Sequence, residues 1–173
     1  PLVLFTPKSG LRLASVSSSP EDLALGQFQP VLDDPTADHA QVHRLLISTG
    51  KISHELAARR DQLGPAGVAI ARLELLYPFP ETHLLRLLAS YPALEEVLWV
   101  QEEPRNMGAF SFVAQRLPEM LPAGVRLGYA GRRQRAAPAE GSMRSHLIEQ
   151  ERVLEEAFAG LQASPPPGSE GGA

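Results

Sequence analysis

The stretch WVQEEPRNMGAF, Trp99 to Phe110, sets two carboxylates, Glu102 and Glu103, directly before a proline. Paired carboxylates suit general acid/base work, but only when both converge on one substrate from the same cleft. Adjacent residues of an extended chain point to opposite faces. The spacing therefore predicts one inward, hydrogen-bonded carboxylate and one solvated carboxylate, a structural corner rather than a catalytic dyad.

Other groups invite chemistry and meet a similar limit. In STGK, Ser48 to Lys51, a Gly-Lys pair resembles the end of a phosphate loop. The full pattern needs a glycine at position 45 and a Ser or Thr at 52, where Leu45 and Ile52 stand. What survives is an anion held by helix-start N–H groups and Lys51, set against an ordinary strand-to-helix turn. HELAA opens like a zinc-protease helix, yet Ala58 occupies the place of the second histidine. The five histidines, His39, His43, His54, His83 and His146, show no ligand spacing. Arg132, Arg133 and Arg135 in AGRRQR suit phosphates or carboxylates, or equally a solvated loop or subunit contact. No nucleotide-binding glycine fingerprint, G-x-S-x-G elbow or acidic metal cluster is present. These residues do not form a self-sufficient catalytic constellation.

The elements that must carry these residues alternate. VHRLLIST (42–49), VAIARLEL (68–75), EEVLWVQEE (95–103) and VRLGYAG (125–131) read as strands. Between them KISHELAARRDQL, ETHLLRLLASY and MGAFSFVAQRLPEML read as helices, the last kinked or ended early by Pro118. FQPVLDD is extended, and Ser19 caps a short turn before it. Thr6 and Pro7 mark another helix start. A final helix, MRSHLIEQERVLEEAFAGL, presents Leu147, Val153, Leu154, Ala157, Phe158 and Leu161 on one face. Alternation of this kind predicts βαβ crossovers and a mostly parallel sheet covered on both faces. Ligands of such sheets sit beyond the carboxyl ends of the strands. There the sequence gathers STGK, LYPFP, QEEPRN and AGRRQR.

At 173 residues the chain fits one domain with a proper core. A net charge of -4 leaves no basic excess to neutralise phosphates, against a general nucleic-acid binder. The absence of cysteine removes disulfides, thiolate nucleophiles and Cys-based zinc sites. No apolar run approaches the roughly 20 residues of a membrane span. The opening PLVLFTPKSG is strand-like, lacks the pattern of a signal peptide and has no initiator Met, which predicts a piece of a longer protein. The tail from 163 to 173, Pro-, Gly- and Ser-rich, is expected to be disordered.

Taken in order, PLVLFTPKSGLRL, LLISTGKI, VAIARLELLYPFP, WVQEEPRNMGAF and YAGRRQRAAPAEGS resemble the C-terminal domain of the 2-oxoglutarate dehydrogenase E1 family, over about Pro1 to Gly160. The resemblance implies an α/β fold: three layers, with a mostly parallel, mixed sheet of about five strands, helices on both faces and one antiparallel edge. This is like the third domain of transketolase-type enzymes, over residues 1–162. It implies a cytoplasmic bacterial homodimer that uses thiamine diphosphate and magnesium, bound in other domains, to decarboxylate 2-oxoglutarate and succinylate a lipoyl-bearing E2 partner in the citric acid cycle. Neither nucleic acid nor membrane is an expected partner. The fragment alone is expected to be silent, with a structural and dimerising role. Here Met107 and Phe110 replace the family's usual Gln and Trp, and Arg133 replaces a frequent Pro. The resemblance also implies an alternative, a regulatory module binding an adenine nucleotide or acetyl-CoA. Its candidate anion site is Thr49, Gly50, Lys51, Gln101 and Arg132. An E1 for another 2-oxo acid, or a purely structural transketolase-type domain, also fits. Asn106 is a candidate helix cap, and Trp99 and Phe110 are expected core or interface anchors.

Overall fold

A computed structural model describes residues 1–4, 8–12, 14–64 and 67–161. The expected helix start at Thr6 and Pro7 and the tail 163–173 lie outside the described residues. Residues 1–4 adopt no strand and are exposed, contrary to their strand-like composition. Among the described residues no strand pairs with them.

The centre is a five-stranded mixed sheet. Its strands are β1 (Val31–Leu32), β2 (Arg44–Ser48), β3 (Val68–Leu73), β4 (Glu96–Pro104) and β5 (Arg126–Arg132). The order is β1-β3-β2-β4-β5, with only β1 antiparallel. Ser48 stands level with Arg72 on one side and Val100 on the other, so β2, β3 and β4 run in step. The pairing of β4 with β5 is irregular between Gln101 and Pro104, where the chain turns out of the sheet.

The helices are α1 (Pro20–Leu25), α2 (Ile52–Leu63), α3 (Glu81–Ala89), α4 (Phe110–Val113), α5 (Leu117–Met120) and α6 (Met143–Phe158). Ser19 caps α1 in a reciprocal box with Asp22. Gly64 ends α2 in the left-handed conformation that a side chain disfavours. The helix read across 107–121 is two short pieces instead: α4 stops at Val113, and Pro118 enters the first turn of α5, where its missing N–H costs nothing.

Strand residues alternate between two cores, as the period of two requires. Leu45, Ile47, Val97 and Trp99 pack with Leu84, Leu87 and Leu88 of α3 and with Val113 and Leu117. Leu46, Leu98, Val100 and Ala130 pack with Ile52 and Leu56 of α2 and with Val153, Leu154 and Phe158 of α6. Each such fully buried Leu, Ile or Val contributes about 1.5–3 kcal/mol, and near-continuous apolar strands follow from cover on both faces. Leu147, read as part of the core face of α6, is exposed at 60%. The helix reaches the sheet through Gln150, Val153, Leu154, Ala157 and Phe158, with Leu161 beyond its end packed against the same core.

Candidate functional site

The carboxyl ends of β2, β4 and β5 carry most of the residues singled out from sequence, and the sheet divides them between its faces. On the α2/α6 face, Lys51 Nζ lies 2.5 Å from Glu102 Oε1 and 2.9 Å from Glu55 Oε1. Glu55 Oε2 accepts from Gln150 Nε2 at 2.7 Å. Gln150 Oε1 stands 3.5 Å from Arg132 Nη2, which also approaches His146 Nδ1 at 2.9 Å. A chain of polar contacts thus runs Glu102–Lys51–Glu55–Gln150–Arg132–His146 across two helices and two strands. Burial disfavours the Lys51 ammonium, yet hydrogen bonds to Glu102 and Glu55 outweigh it and raise its pKa above the ordinary value.

Arg132 is 5% exposed. Its Nε has no hydrogen-bond partner, and among the described residues no carboxylate pairs with it. Ser48 Oγ, buried on the same face, is likewise unpartnered. Arg133 is exposed, whereas Arg135 is held by Glu140 and, at 3.2 Å, by Glu149.

Gln101 faces the other way. Its Oε1 accepts from Trp99 Nε1 and from Phe110 N, each at 3.0 Å. Its Nε2 donates to Met107 O at 2.9 Å and to Glu103 O and Pro104 O, both at 3.2 Å. This fully buried amide is spent on folding the EEPRNMGA corner back over the strand. Thr49 borders that same face, and Gly50 at φ 75° makes the turn between β2 and α2. The five residues of the expected anion site therefore do not share one pocket: Lys51 and Arg132 join one network, Gln101 and Thr49 border the opposite layer.

The paired carboxylates separate as their adjacency requires. Glu102 is partly buried against Lys51, and Glu103 is exposed with no ion pair among the described residues. Asn106 does not cap a helix. The first helical residue after the corner is Phe110, following Ala109 without a side-chain cap. Asn106 instead clamps the backbone of Arg135, donating to its O at 2.9 Å and accepting from its N at 3.1 Å. That clamp binds the β4 corner to the loop after β5, and only the fold could reveal it, because the two residues lie 29 positions apart. Trp99 is a core anchor at 0% exposure, and the Phe110 ring lies 4.4 Å from that of Tyr129 at a tilt of 52°, with Arg105 lying over both rings.

Another buried group was not legible as special. Asp34 accepts from Thr36 N and Oγ1 and from Ile70 N at 3.0, 2.7 and 2.9 Å, and pairs with Arg60. The local DDPT pattern announces a turn. It does not announce the β3 backbone it holds.

Among the described residues no group of three histidines or acidic residues could hold a metal ion. No helix there is long and apolar enough to cross a membrane.

A mixed sheet between two helical layers, with a single antiparallel edge strand and polar loops at the strand carboxyl ends, makes this an α/β domain compatible with the transketolase C-terminal type. The family profile described as 2-oxoglutarate dehydrogenase C-terminal matches residues 17–158, and the chain belongs to that family. It is 44% identical over 162 residues to the 2-oxoglutarate dehydrogenase E1 component of Shouchella clausii, covering 91% of this chain and 17% of that protein. It is 42% identical over the same length to that of Bacillus subtilis, again 91% and 17%. It is 41% identical over 160 residues to the 2-oxoglutarate dehydrogenase E1/E2 component of Corynebacterium glutamicum, covering 91% and 13%. The chain spans about a sixth or less of the length of these relatives.

Proposed function

We propose that residues 1–162 form the C-terminal domain of an E1 enzyme that decarboxylates 2-oxoglutarate and passes the succinyl group to a lipoyl-bearing E2. The domain supports the catalytic domains and the dimer. The observation that carries this reading is alignment of 91% of the chain, at 41–44% identity, with E1 and E1/E2 components. The enzyme would act in the citric acid cycle of a bacterial cytoplasm.

Thiamine diphosphate with magnesium, which such a decarboxylation uses as its electron sink, does not fit the residues described. A diphosphate-bound magnesium needs hard oxygen ligands, and among the described residues no acidic cluster offers them. The carboxylates at the strand ends are either engaged, as Glu102 is by Lys51, or solvated, as Glu103 is. We place the cofactor in the rest of the enzyme. The test compares the full-length protein with the isolated 173-residue chain, each with thiamine diphosphate, magnesium and 2-oxoglutarate. Carbon dioxide release by the full-length protein alone supports the reading; turnover by the isolated chain refutes it.

A second reading rests on Arg132. A buried guanidinium with no carboxylate in direct contact is costly, and an anion would relieve it. We infer an adenine nucleotide or acetyl-CoA phosphate near Lys51 and Arg132, with Thr49, Gly50 and Gln101 belonging to the same strand-end region. Calorimetry of the full-length enzyme with AMP and with acetyl-CoA tests it, and no heat at millimolar ligand removes it.

A further inference from the structure

The helix α6 is buried only from Gln150 onward. In its first two turns Leu147 and Ile148 stand side by side, exposed at 60% and 59%. A single exposed apolar residue is ordinary, whereas neighbouring ones rimmed by charge mark an interaction surface. Arg144, Leu147, Ile148 and Glu151 follow the i, i+3, i+4, i+7 spacing that sets four side chains on one helix face. All four are exposed. Along the helix the stripe reads positive, apolar, apolar, negative.

That order is its own complement. Turn a second copy end for end about a two-fold axis between positions 147 and 148. Arg144 of each copy then lies opposite Glu151 of the other, and Leu147 and Ile148 each meet their own counterpart. Self-complementarity of this kind is what a two-fold contact requires; a parallel pairing would set like charges level. Among the described residues Arg144 has no ion pair. Glu151 is held at 2.5 Å by Arg59 of α2, but its side chain remains half exposed. A carboxylate has lone pairs enough for two guanidinium groups.

We propose that this stripe is an interface between two copies of the chain, with α6 packed antiparallel on α6. The proposal rests on the reading of the chain as part of a dimeric E1 and names a surface that reading leaves unassigned. Two helices that both start at Met143 overlap in this register only from Met143 to Arg152. Such an overlap buries far less than the roughly 1,200 Å² of a stable interface. The stripe therefore acts where the rest of the enzyme already brings two copies together, and it fixes how their C-terminal domains face each other.

Single cysteines report this geometry, because the chain has none of its own. At a rise of about 1.5 Å per residue, the two copies of position 148 are offset along the helices by about 1.5 Å and those of position 155 by about 22 Å. A disulfide joins Cα atoms about 4.4–6.8 Å apart. Full-length enzyme carrying Ile148→Cys or Glu155→Cys is oxidised with copper phenanthroline and compared with wild type on a non-reducing gel, with light scattering for the oligomeric state. The expected result is a covalent dimer with Ile148→Cys, roughly tenfold above both wild type and Glu155→Cys. Leu147→Cys, equally near the axis, takes its place should that variant fail to fold. Adding Arg144→Glu, which sets two carboxylates opposite each other, should lower the yield about threefold. A dimer by light scattering with no cross-link near the axis overturns the proposal, leaves the dimeric reading standing and gives the stripe to the rest of the polypeptide. A monomer overturns both. Equal yields at 148 and 155, or a yield indifferent to Arg144→Glu, overturn the antiparallel pairing.

Discussion

Trp99 and Gln101 stand two residues apart on β4, and the indole Nε1 donates to the amide Oε1 at 3.0 Å inside the core. The same oxygen takes the N–H of Phe110, the first residue of α4. One side chain thus satisfies a buried tryptophan, a helix start and three carbonyls of the corner. Gln101→Leu keeps the volume and removes every partner. Each buried donor left alone costs about 1–3 kcal/mol, so a loss of about 2–5 kcal/mol is expected. Urea unfolding followed through Trp99, the only tryptophan in the chain, measures it. A loss below 1 kcal/mol would mean the amide does not hold the corner.

The corner also needs its glycine. Gly108 sits at φ 65°, where a side chain costs about 1–2 kcal/mol, and its Cβ would press on Glu103 and Gln101. Gly108→Ala is expected to lower stability by about 2 kcal/mol and to change Trp99 fluorescence, because the displaced Gln101 is the indole's partner. An unchanged unfolding midpoint would contradict the contact.

How much of this was legible in the sequence divides along a physical line. The alternation of βαβ elements follows from apolar period and breakers, which are local, and four strands with α2 and α3 stand where those patterns put them, whereas the helix expected between β4 and β5 is broken into α4 and α5. The opposite fates of Glu102 and Glu103 follow from the pleat alone. Asn106 went wrong because its partner, Arg135, is remote in sequence, and a local rule offered only a helix cap. Leu147 went wrong because the apolar stripe of α6 starts before the helix becomes buried, which it does only from Gln150 onward. The splitting of Thr49, Lys51, Gln101 and Arg132 between two faces required the register of β2 against β4. The nearness of Thr49 to Glu103 and Gly108 required the strand order, which no single segment encodes.

Asp34 supplies a pH dependence. Burial pushes its carboxyl up, but hydrogen bonds from Thr36 and Ile70 and the charge of Arg60 together hold its pKa below the ordinary 3.8. A depressed folded-state pKa gives stability that is complete above the unfolded value and lost as pH falls through the folded one. Asp34→Asn should cost about 3 kcal/mol at neutral pH by removing the buried partner of Arg60 and leaving it only the exposed Asp61. The gap between wild type and variant should close below about pH 3.8. Urea midpoints measured from pH 7 down to pH 2.5 test both statements; a gap independent of pH would show that the charge of Asp34 is not what matters.

Lys51 reverses the sign. Its pKa is raised above 10.5, with Glu102 and Glu55 outweighing burial. A raised folded-state value gives stability that is whole below the unfolded pKa and lost as pH climbs through the folded one. Lys51→Met keeps the stem that packs at the start of α2 and deletes the charge between two carboxylates. A partly exposed pair of this kind contributes about 1 kcal/mol, so the variant should unfold at slightly lower urea from pH 7 to 10. The difference should then shrink above pH 10.5 as the wild-type ammonium loses its proton. If the variant is instead more stable than wild type at neutral pH, desolvation of the ammonium outweighs its two contacts. Lys51 would then be a charge kept for a partner rather than for the fold, and the anion reading at that helix start would gain weight over the structural one.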